Sequence, residues 1–359
     1  MYDQIRQDTL FIILYSVVTA MAAMASCYLL FRQGNAFAKD ITPPARLRRW
    51  TAAYFAAFAL SHVWYMPIFF LSSSEDIMMT DLIGGLLDFM TVFPLMIVVL
   101  LVMLQDRRRP LWPVAVMMVI PVIGGAISVA TRSYVLLPIG YIYFLLMCIG
   151  LIIYMVCALR QYGRWLRDNF ADLEHKEVWQ SFVVLAIILL MFVVYALTNE
   201  NQIFIYVMLV ISAVFICYLL WRVETLSDLS TSIQSDAGNA LSLTIRNNIG
   251  PLLKQYCEDT HLYLQYDISL SQLATSIGIN RSYLSKHFAM QGLTYNAYIN
   301  GLRIQHFIKL YHEAVATHQP IMVQQLALQS GFRSYSTFNA VFKQSMGTTA
   351  TEWMRNMTE

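Results

Sequence analysis

Charge is scarce in this chain. Asp, Glu, Lys and Arg supply 13% of its residues, where an ordinary globular domain carries about a quarter, so much of the chain does not face water. Signatures of chemistry are scarce as well. The five cysteines form no CxxC pair, and there is no HExxH, no GxSxG and no paired catalytic Asp. Nothing supports metal-assisted or nucleophilic catalysis, so the chain does not read as an enzyme and no cofactor or metal is expected. Cys27, Cys148, Cys157 and Cys217 lie inside apolar runs and Cys257 outside them, where buried free thiols are the expectation.

What is abundant is apolar sequence, at 58% of 359 residues. It is concentrated in residues 1–221, and the charges there fall mostly in short breaks between apolar runs. Crossing about 30 Å of hydrocarbon takes about 20 apolar residues. Seven stretches reach that length: Thr9–Phe31, Trp50–Leu71, Leu82–Leu104, Leu111–Ala130, Tyr134–Leu159, Val178–Thr198 and Ile203–Trp221. In lipid the backbone must satisfy its own hydrogen bonds, so these are read as helices. The fourth holds Pro113, Pro121 and Gly124-Gly125, which are tolerated where neighbouring helices cover the freed backbone. Together with Gly84 and Gly85, these glycines are expected to allow close helix packing.

Lys and Arg alternate sharply between the connections. Arg32, Lys39, Arg46, Arg48 and Arg49 fall in the first loop, Arg107 to Arg109 in the third, and Arg160, Arg164, Arg167 and Lys176 in the fifth. The other side of the bilayer receives only Arg6 and Arg132. This asymmetry predicts an N-terminus outside and a cytoplasmic C-terminal domain, as in a multi-pass protein of a bacterial inner membrane. Arg6 is flanked by Asp3 and Asp8, so the first helix lacks the positive leader of a cleaved signal peptide. No inverted repeat of the transporter kind is visible.

Two ionisable residues stand inside the expected spans, His62 in the second and Asp88 in the third, with Trp64 and Tyr65 flanking the same level. His62 falls about 18 Å from the inner end of its helix and Asp88 about 9 Å from the outer end of its own. Both lie in the outer half of the bilayer. Intramembrane ionisable residues are functional candidates by default. Two readings fit: an outward-facing site for an unknown small-molecule or membrane signal around His62, Tyr65 and Asp88, or a structural His–Asp pair locking the second and third helices together.

The expected organisation is all-α: a membrane domain over 1–221, a helical linker over 222–261 and a soluble domain over 262–359. In the linker, Val223, Leu226, Leu229 or Ser230, and Ile233 form one helical stripe, so the last span is expected to continue as a short stalk, either a two-stranded coil or an amphipathic helix without partner. A second helix, over Ala240–His261, should break near Gly250-Pro251.

The last hundred residues repeat a pattern. "QLATSIGI" at Gln272–Ile279 returns as "QLALQSGF" at Gln325–Phe332, and "RSY" follows both copies. A small residue (Ala274, Ala327) where two helices cross, then a glycine (Gly278, Gly331), is the pattern of a helix-turn-helix. Leu273, Ile277, Ile279, Leu284 and Phe288 form the apolar seam of the first copy, and Leu326, Phe332, Phe338 and Phe342 that of the second. The outward face of each second helix is polar: Ser282, Ser285 and Lys286 in the first, Tyr335, Ser336, Asn339 and Lys343 in the second. Such side chains can read base edges and hold phosphates. Between the copies, Tyr295–Glu313 suits a helix of about 25 Å. Its apolar residues are Tyr298, Leu302, Phe307, Leu310 and Tyr311. That length can space two recognition helices toward successive major grooves about 34 Å apart.

From about Ile268 to Trp353 the chain resembles the double helix-turn-helix domain of AraC-family transcription regulators. The second copy carries the "GF-x-s-x-s-x-F-x-x-x-FK-x-x-x-G" signature as Gly331, Phe332, Ser334, Ser336, Phe338, Phe342, Lys343 and Gly347, and "YINGLRI" at Tyr298–Ile304 is similar to the family's connector. The resemblance implies double-stranded promoter DNA as partner, binding as a homodimer and contact with RNA polymerase. It places Arg281, Ser282, Ser285, Lys286, Arg333, Ser334, Tyr335, Ser336, Asn339 and Lys343 at the DNA. Ala350 stands where the family has proline, which should loosen the last turn, and Ala340 stands where Arg is frequent. The leading expectation is a membrane-embedded one-component regulator. The alternative is a transporter or scaffold whose helix-turn-helix domain contacts proteins.

Overall fold

The computed structural model describes residues 8–32, 34–38, 41–184, 186–187, 202–229, 249–318 and 320–358. Every regular element among them is a helix; one isolated bridge pairs Phe170 with Ser269. The chain divides into two compact units, one of 1–160 with 178–228, the other of 161–177 with 229–359. Residues 161–177, which hydropathy alone groups with the apolar part, thus cluster with the second unit.

In the first unit, α1 (Thr9–Phe31) starts at Asp8, whose carboxylate accepts from the backbone N–H of Leu10 at 3.0 Å and Phe11 at 3.4 Å. It packs along α2 (Ala45–Tyr65). Ala22, Ala25 and Ala52 are buried there, and Ser26 Oγ donates to the Ala52 carbonyl at 2.8 Å, a small-residue approach sealed by one polar bond. Helix α2 ends just before Pro67, whose ring excludes a continued α-turn; Met66–Phe69 tightens into a 3₁₀ turn.

The expected third span is two helices, α3 (Ser74–Met90) and α4 (Val92–Met103), separated at Thr91. Pro94 explains the break: it has no N–H for the Met90 carbonyl and its ring crowds that carbonyl. Helix α5 (Trp112–Thr131) runs through Pro121, and α6 (Leu137–Asn169) extends well past the expected Leu159. Residues 179–184 and 186–187 are helical; the rest of the expected sixth span lies outside the described residues. Helix α7 covers Gln202–Thr225. Six helical stretches among the described residues are long and apolar enough to cross a membrane. Their outer faces present Leu10, Ile13, Val116, Ile120, Ile142, Leu146, Val210 and Val214, all exposed.

Two expectations for this unit change. Gly84 faces the Tyr65 ring and Gly125 the Leu86 side chain, but Gly124 faces open space. Of the cysteines, Cys148 is buried while Cys27, Cys157 and Cys217 lie on the outer surface.

Only the start of the expected stalk, 222–229, lies among the described residues. Helix α7 stops at Thr225, and 227–229 is irregular. Val223 and Leu226 are buried, so the stripe packs inward rather than extending as a coil. Polar bonds fix the stop: Asn35 Nδ2 donates to the Glu224 carbonyl at 2.6 Å, Gln105 Nε2 to the Ser227 carbonyl at 2.9 Å, and Asp228 N–H to the Thr42 carbonyl at 3.0 Å. Arg48 pairs with the buried Glu224 at 3.0 Å. The stalk's remainder, from Ser230 to Gly238, lies outside the described residues.

In the second unit, α8 (Ile249–Leu253) continues into a π-turn, Lys254–Glu258. Pro251 lies within this helical stretch, and the helix runs on past it; the expected part from Ala240 to Asn248 lies outside the described residues. Then come α9 (Leu270–Ile277), α10 (Arg281–Met290), α11 (Tyr295–Ala316), α12 (Val323–Gln329), α13 (Tyr335–Met346) and α14 (Ala350–Thr358). They form two cores. The first gathers Leu273, Ala274, Leu284 and Phe288 with Ile249, Leu253 and Cys257. The second gathers Leu326, Ala327, Phe332, Phe338 and Phe342 with Ala350.

Helix α11 joins the cores, giving Tyr295 and Ile299 to one and Ile304, Phe307 and Tyr311 to the other. The expected Tyr298, Leu302 and Leu310 are only partly buried. The final turn is not loosened by Ala350. Thr349 Oγ1 accepts from Glu352 N–H at 3.3 Å, and Ala350 is fully buried.

Candidate nucleic-acid interface

Each half of the second unit is built as helix, glycine turn, helix. In the first, Ser269 and Gln272 form a reciprocal capping box that starts α9. Gly278, at φ 79°, ends it, and Asn280 caps α10 by accepting from Ser282 N–H at 2.8 Å. In the second, Gly331 turns at φ 86° and Ser334 Oγ caps α13 by accepting from Thr337 N–H at 3.3 Å. The expected seams are buried throughout except Ile279, which packs against its core partly exposed. Both second helices therefore turn a polar face outward.

The ten residues placed at DNA fall into three groups. Ser282, Lys286, Ser336 and Lys343 are exposed, and Ser285 is half-buried beside them. Tyr335 and Asn339 are partly withdrawn: the Tyr335 ring packs on Phe338 at 6.0 Å, and Asn339 Oδ1 is buried without a hydrogen-bond partner.

The remaining three are engaged by the last residue of α6 and the segment that follows it. Arg281 Nε donates to Asn169 Oδ1 at 2.9 Å. Arg333 lies over the Tyr266 ring, 5.6 Å from its centroid, with Nη1 4.0 Å from Asp172 Oδ2. Ser334 Oγ donates to Glu174 Oε2 at 2.9 Å, and Thr337 Oγ1 donates to the same oxygen at 3.0 Å. Burial raises the Asp172 carboxyl above its ordinary range, opposed chiefly by the charge of Lys176.

Sequence reasoning missed two things here. One is the 169–177 segment, which is separated from the repeat by about ninety residues of chain and carries no motif. The other is Arg303. It lies in the "YINGLRI" connector, and the residue is buried. Its guanidinium donates to the carbonyls of Tyr263 at 2.8 Å, Gln265 at 2.7 Å and Tyr266 at 3.2 Å, and lies over the Phe332 ring. It ties the segment before α9 to the start of α13's unit. Burial pulls its pKa down to about 10, which leaves it charged at neutral pH.

The second candidate site lies in the first unit. Ser61, Tyr65 and Trp64 surround the Asp88 carboxylate. His62 is engaged elsewhere: Nδ1 donates to the Phe58 carbonyl at 3.0 Å, and the Tyr15 ring packs against it at a tilt of 53°, centroids 4.7 Å apart. Tyr15 Oη also donates to the His62 carbonyl at 2.6 Å. The His–Asp pair is therefore not formed. Asp88 and Tyr65 come together, and His62 belongs to a neighbouring aromatic cluster. Among the described residues no group of three His, Cys, Asp or Glu could hold a metal ion.

Comparison with known proteins bears on the second unit. The family profile described as "Helix-turn-helix domain" matches residues 273–356. Over 92 residues the chain is 34% identical to an uncharacterized HTH-type transcriptional regulator of Staphylococcus aureus, and 33% identical to one of S. aureus strain MRSA252. Each match covers 25% of this chain but only 12% of the relative, so the chain spans about an eighth of the length of these relatives. No solved structure matches the chain. The C-terminal region is an AraC-type helix-turn-helix domain, as its duplicated motif indicates, joined to a helical N-terminal region consistent with a membrane domain.

Proposed function

We propose that the chain is a membrane-embedded, one-component transcription regulator. The C-terminal domain binds promoter DNA from the cytoplasm, as a homodimer, while the apolar unit holds it at the membrane and receives the signal. One observation carries the reading: a duplicated helix-turn-helix with outward polar faces occurs in the same chain as six helices of membrane-spanning length. The exposed Ile, Leu and Val side chains of those helices support lipid as their solvent, since water would leave that area unburied. The loops carrying twelve Lys and Arg against two support the C-terminal domain on the chromosome's side.

On DNA, Ser282, Ser285 and Lys286 of α10 and Tyr335, Ser336, Asn339 and Lys343 of α13 face the grooves. Arg281, Arg333 and Ser334 hold the backbone. A net +4 over residues 268–359 is modest for a nucleic-acid binder, and two copies on one operator double the phosphate contacts. Asp88 and Tyr65, with His62 nearby, are the candidate point at which a signal acts.

The test is genome-wide mapping of sites bound by the tagged full-length chain, paired with a reporter fused after Glu359. Discrete sites holding two half-elements, together with a cytoplasmic reporter, are expected. Enrichment no different from an untagged strain, or a reporter on the far side, overturns the reading in favour of a transporter or scaffold.

A further inference from the structure

The residues that follow α6 lie across the fronts of both helix-turn-helix halves. Phe170 bridges to Ser269, and Ala171 is buried in the first core. Asn296 Nδ2 donates to the Ala171 carbonyl at 2.6 Å, and Lys176 Nζ pairs with Asp267 at 2.7 Å. From this footing the segment reaches the second half, where Glu174 takes the hydroxyls of Ser334 and Thr337 and Asp172 faces Arg333. At its other end, Asn169 takes Arg281 at the opening of α10.

We propose that residues 169–177 form an autoinhibitory strap whose Asp172 and Glu174 carboxylates occupy the places that backbone phosphates of a DNA duplex take. The proposal rests on the DNA-binding reading above and adds its regulation. The chemistry is that of substitution between like groups. A carboxylate and a phosphodiester are both anionic oxygen acceptors. A guanidinium, two hydroxyls and the N-terminal turn of a helix serve either one. The seat at α13 offers those donors, and the strap fills it with its own two acids. DNA cannot approach Arg281, Arg333 and Ser334 together while the strap is down.

The contact is held without being locked. Asp172 is 2% exposed, yet its Oδ2 has no hydrogen-bond partner and stands 4.0 Å from Arg333. Its compensation comes mainly from within the segment, where Oδ1 accepts from Glu174 N–H at 3.0 Å, so the contact across to Arg333 is the weak one. Glu174 is about one-third exposed, within reach of a competing phosphate. The strap is also the direct continuation of α6, a helix that begins in the apolar unit. A shift of that helix moves Asn169 through covalent bonds alone, so a signal acting on α6 has a route to the DNA-binding face without a separate stalk.

The test uses the full chain in lipid nanodiscs and two 40-bp duplexes, one carrying the most enriched mapped site and one of random sequence. Asp172→Asn with Glu174→Gln should tighten binding to both duplexes about tenfold, as expected when the competent fraction rises from a tenth to nearly all. Glu174→Gln alone should give a smaller gain. Hydrogen exchange of the wild type should show amides 169–177 losing protection when duplex is added, an arm that needs no variant to fold. Unchanged or weaker binding by the variants, with the strap still protected on DNA, overturns the strap and leaves the DNA-binding reading standing. Failure of wild type and variants alike to bind either duplex at low salt overturns both. A variant that binds where the wild type does not supports both.

Discussion

Gly331 lies flush against the backbone of Leu264: a Cβ on the glycine would stand 2.7 Å from both the Cα and the carbonyl oxygen of the leucine. The glycine also adopts φ 86°. Gly278 holds the equivalent turn in the first copy at φ 79°, but with open space where its Cβ would be. The two glycines are alike in sequence and in backbone, and different in surroundings.

The alanine variants should therefore separate. Gly278→Ala carries only the left-handed penalty, about 1–2 kcal/mol. Gly331→Ala carries that plus a collision with main chain that no rotamer relieves, so its loss should be clearly larger. Hydrogen exchange of the second unit in the full-length chain reads both. Equal losses would show that the close approach to Leu264 is not maintained in solution.

Arg303 makes a second test of packing. Itself buried, it supplies donors to three carbonyls, that of the buried Tyr263 and those of the more exposed Gln265 and Tyr266. Arg303→Met keeps much of the volume but strands the Tyr263 carbonyl, at about 1–3 kcal/mol, and removes the bonds to Gln265 and Tyr266, which water can partly replace, so a loss of about 2–3 kcal/mol is expected. Arg303→Lys restores a charge but not the fork and should fall between. Lys309, exposed and 3.8 Å from Glu313, serves as the control, since such surface pairs are worth little. An Arg303→Met variant as stable as Lys309→Ala would remove the anchor role.

His306 gives the second unit a pH dependence. Its Nδ1 meets the Tyr263 hydroxyl at 3.2 Å. Burial lowers its pKa, and the neighbouring His261 and Lys309 charges lower it further, against a smaller opposing effect of Glu313. Because the folded state holds the proton less tightly than the unfolded chain, stability is fully present above the ordinary histidine value near 6.5 and declines as pH falls through the depressed one. His306→Gln should flatten the decline between about pH 7 and pH 5. His287 is also lowered by burial, so the difference between wild type and variant, not the wild-type slope alone, isolates His306. Identical slopes would exclude the effect.

Much of this molecule was legible from periodicity and repetition. Both helix-turn-helix seams, the turn glycines and the first span follow from spacings of three and four residues, which constrain local structure directly. What stayed hidden depends on distant partners. Thr91 breaks a helix because of Pro94, which a hydropathy window averages away. The Val223 and Leu226 stripe looks the same whether it forms a coil or folds inward, and only Asn35, Gln105 and Thr42, far back in the chain, decide the matter. Nothing in "YINGLRI" announces that Arg303 meets three carbonyls from residues 263–266. The 169–177 segment reads as an ordinary charged loop; its acids acquire meaning only against Arg333, Ser334 and Thr337.

His62 and Asp88 sit at similar depth by helical arithmetic, and pairing them is a natural inference from sequence. The side chains separate them: Asp88 turns to Ser61, Tyr65 and Trp64, while His62 donates to Phe58 of its own helix beneath Tyr15. The consequence is near independence. In a double-substitution cycle on promoter output, Asp88→Asn and His62→Gln should couple only weakly, by less than about 1 kcal/mol, because Tyr15 is the neighbour they share and no direct contact joins them. Asp88→Asn and Tyr65→Phe should not add, because they remove two sides of one contact. If Asp88 and Tyr65 form the point where a signal acts, both single variants blunt the response while membrane levels of the protein stay normal, and His62→Gln, which retains a donor for the Phe58 carbonyl, is tolerated. Strong coupling between His62 and Asp88 would instead restore the pair that helical depth alone suggested.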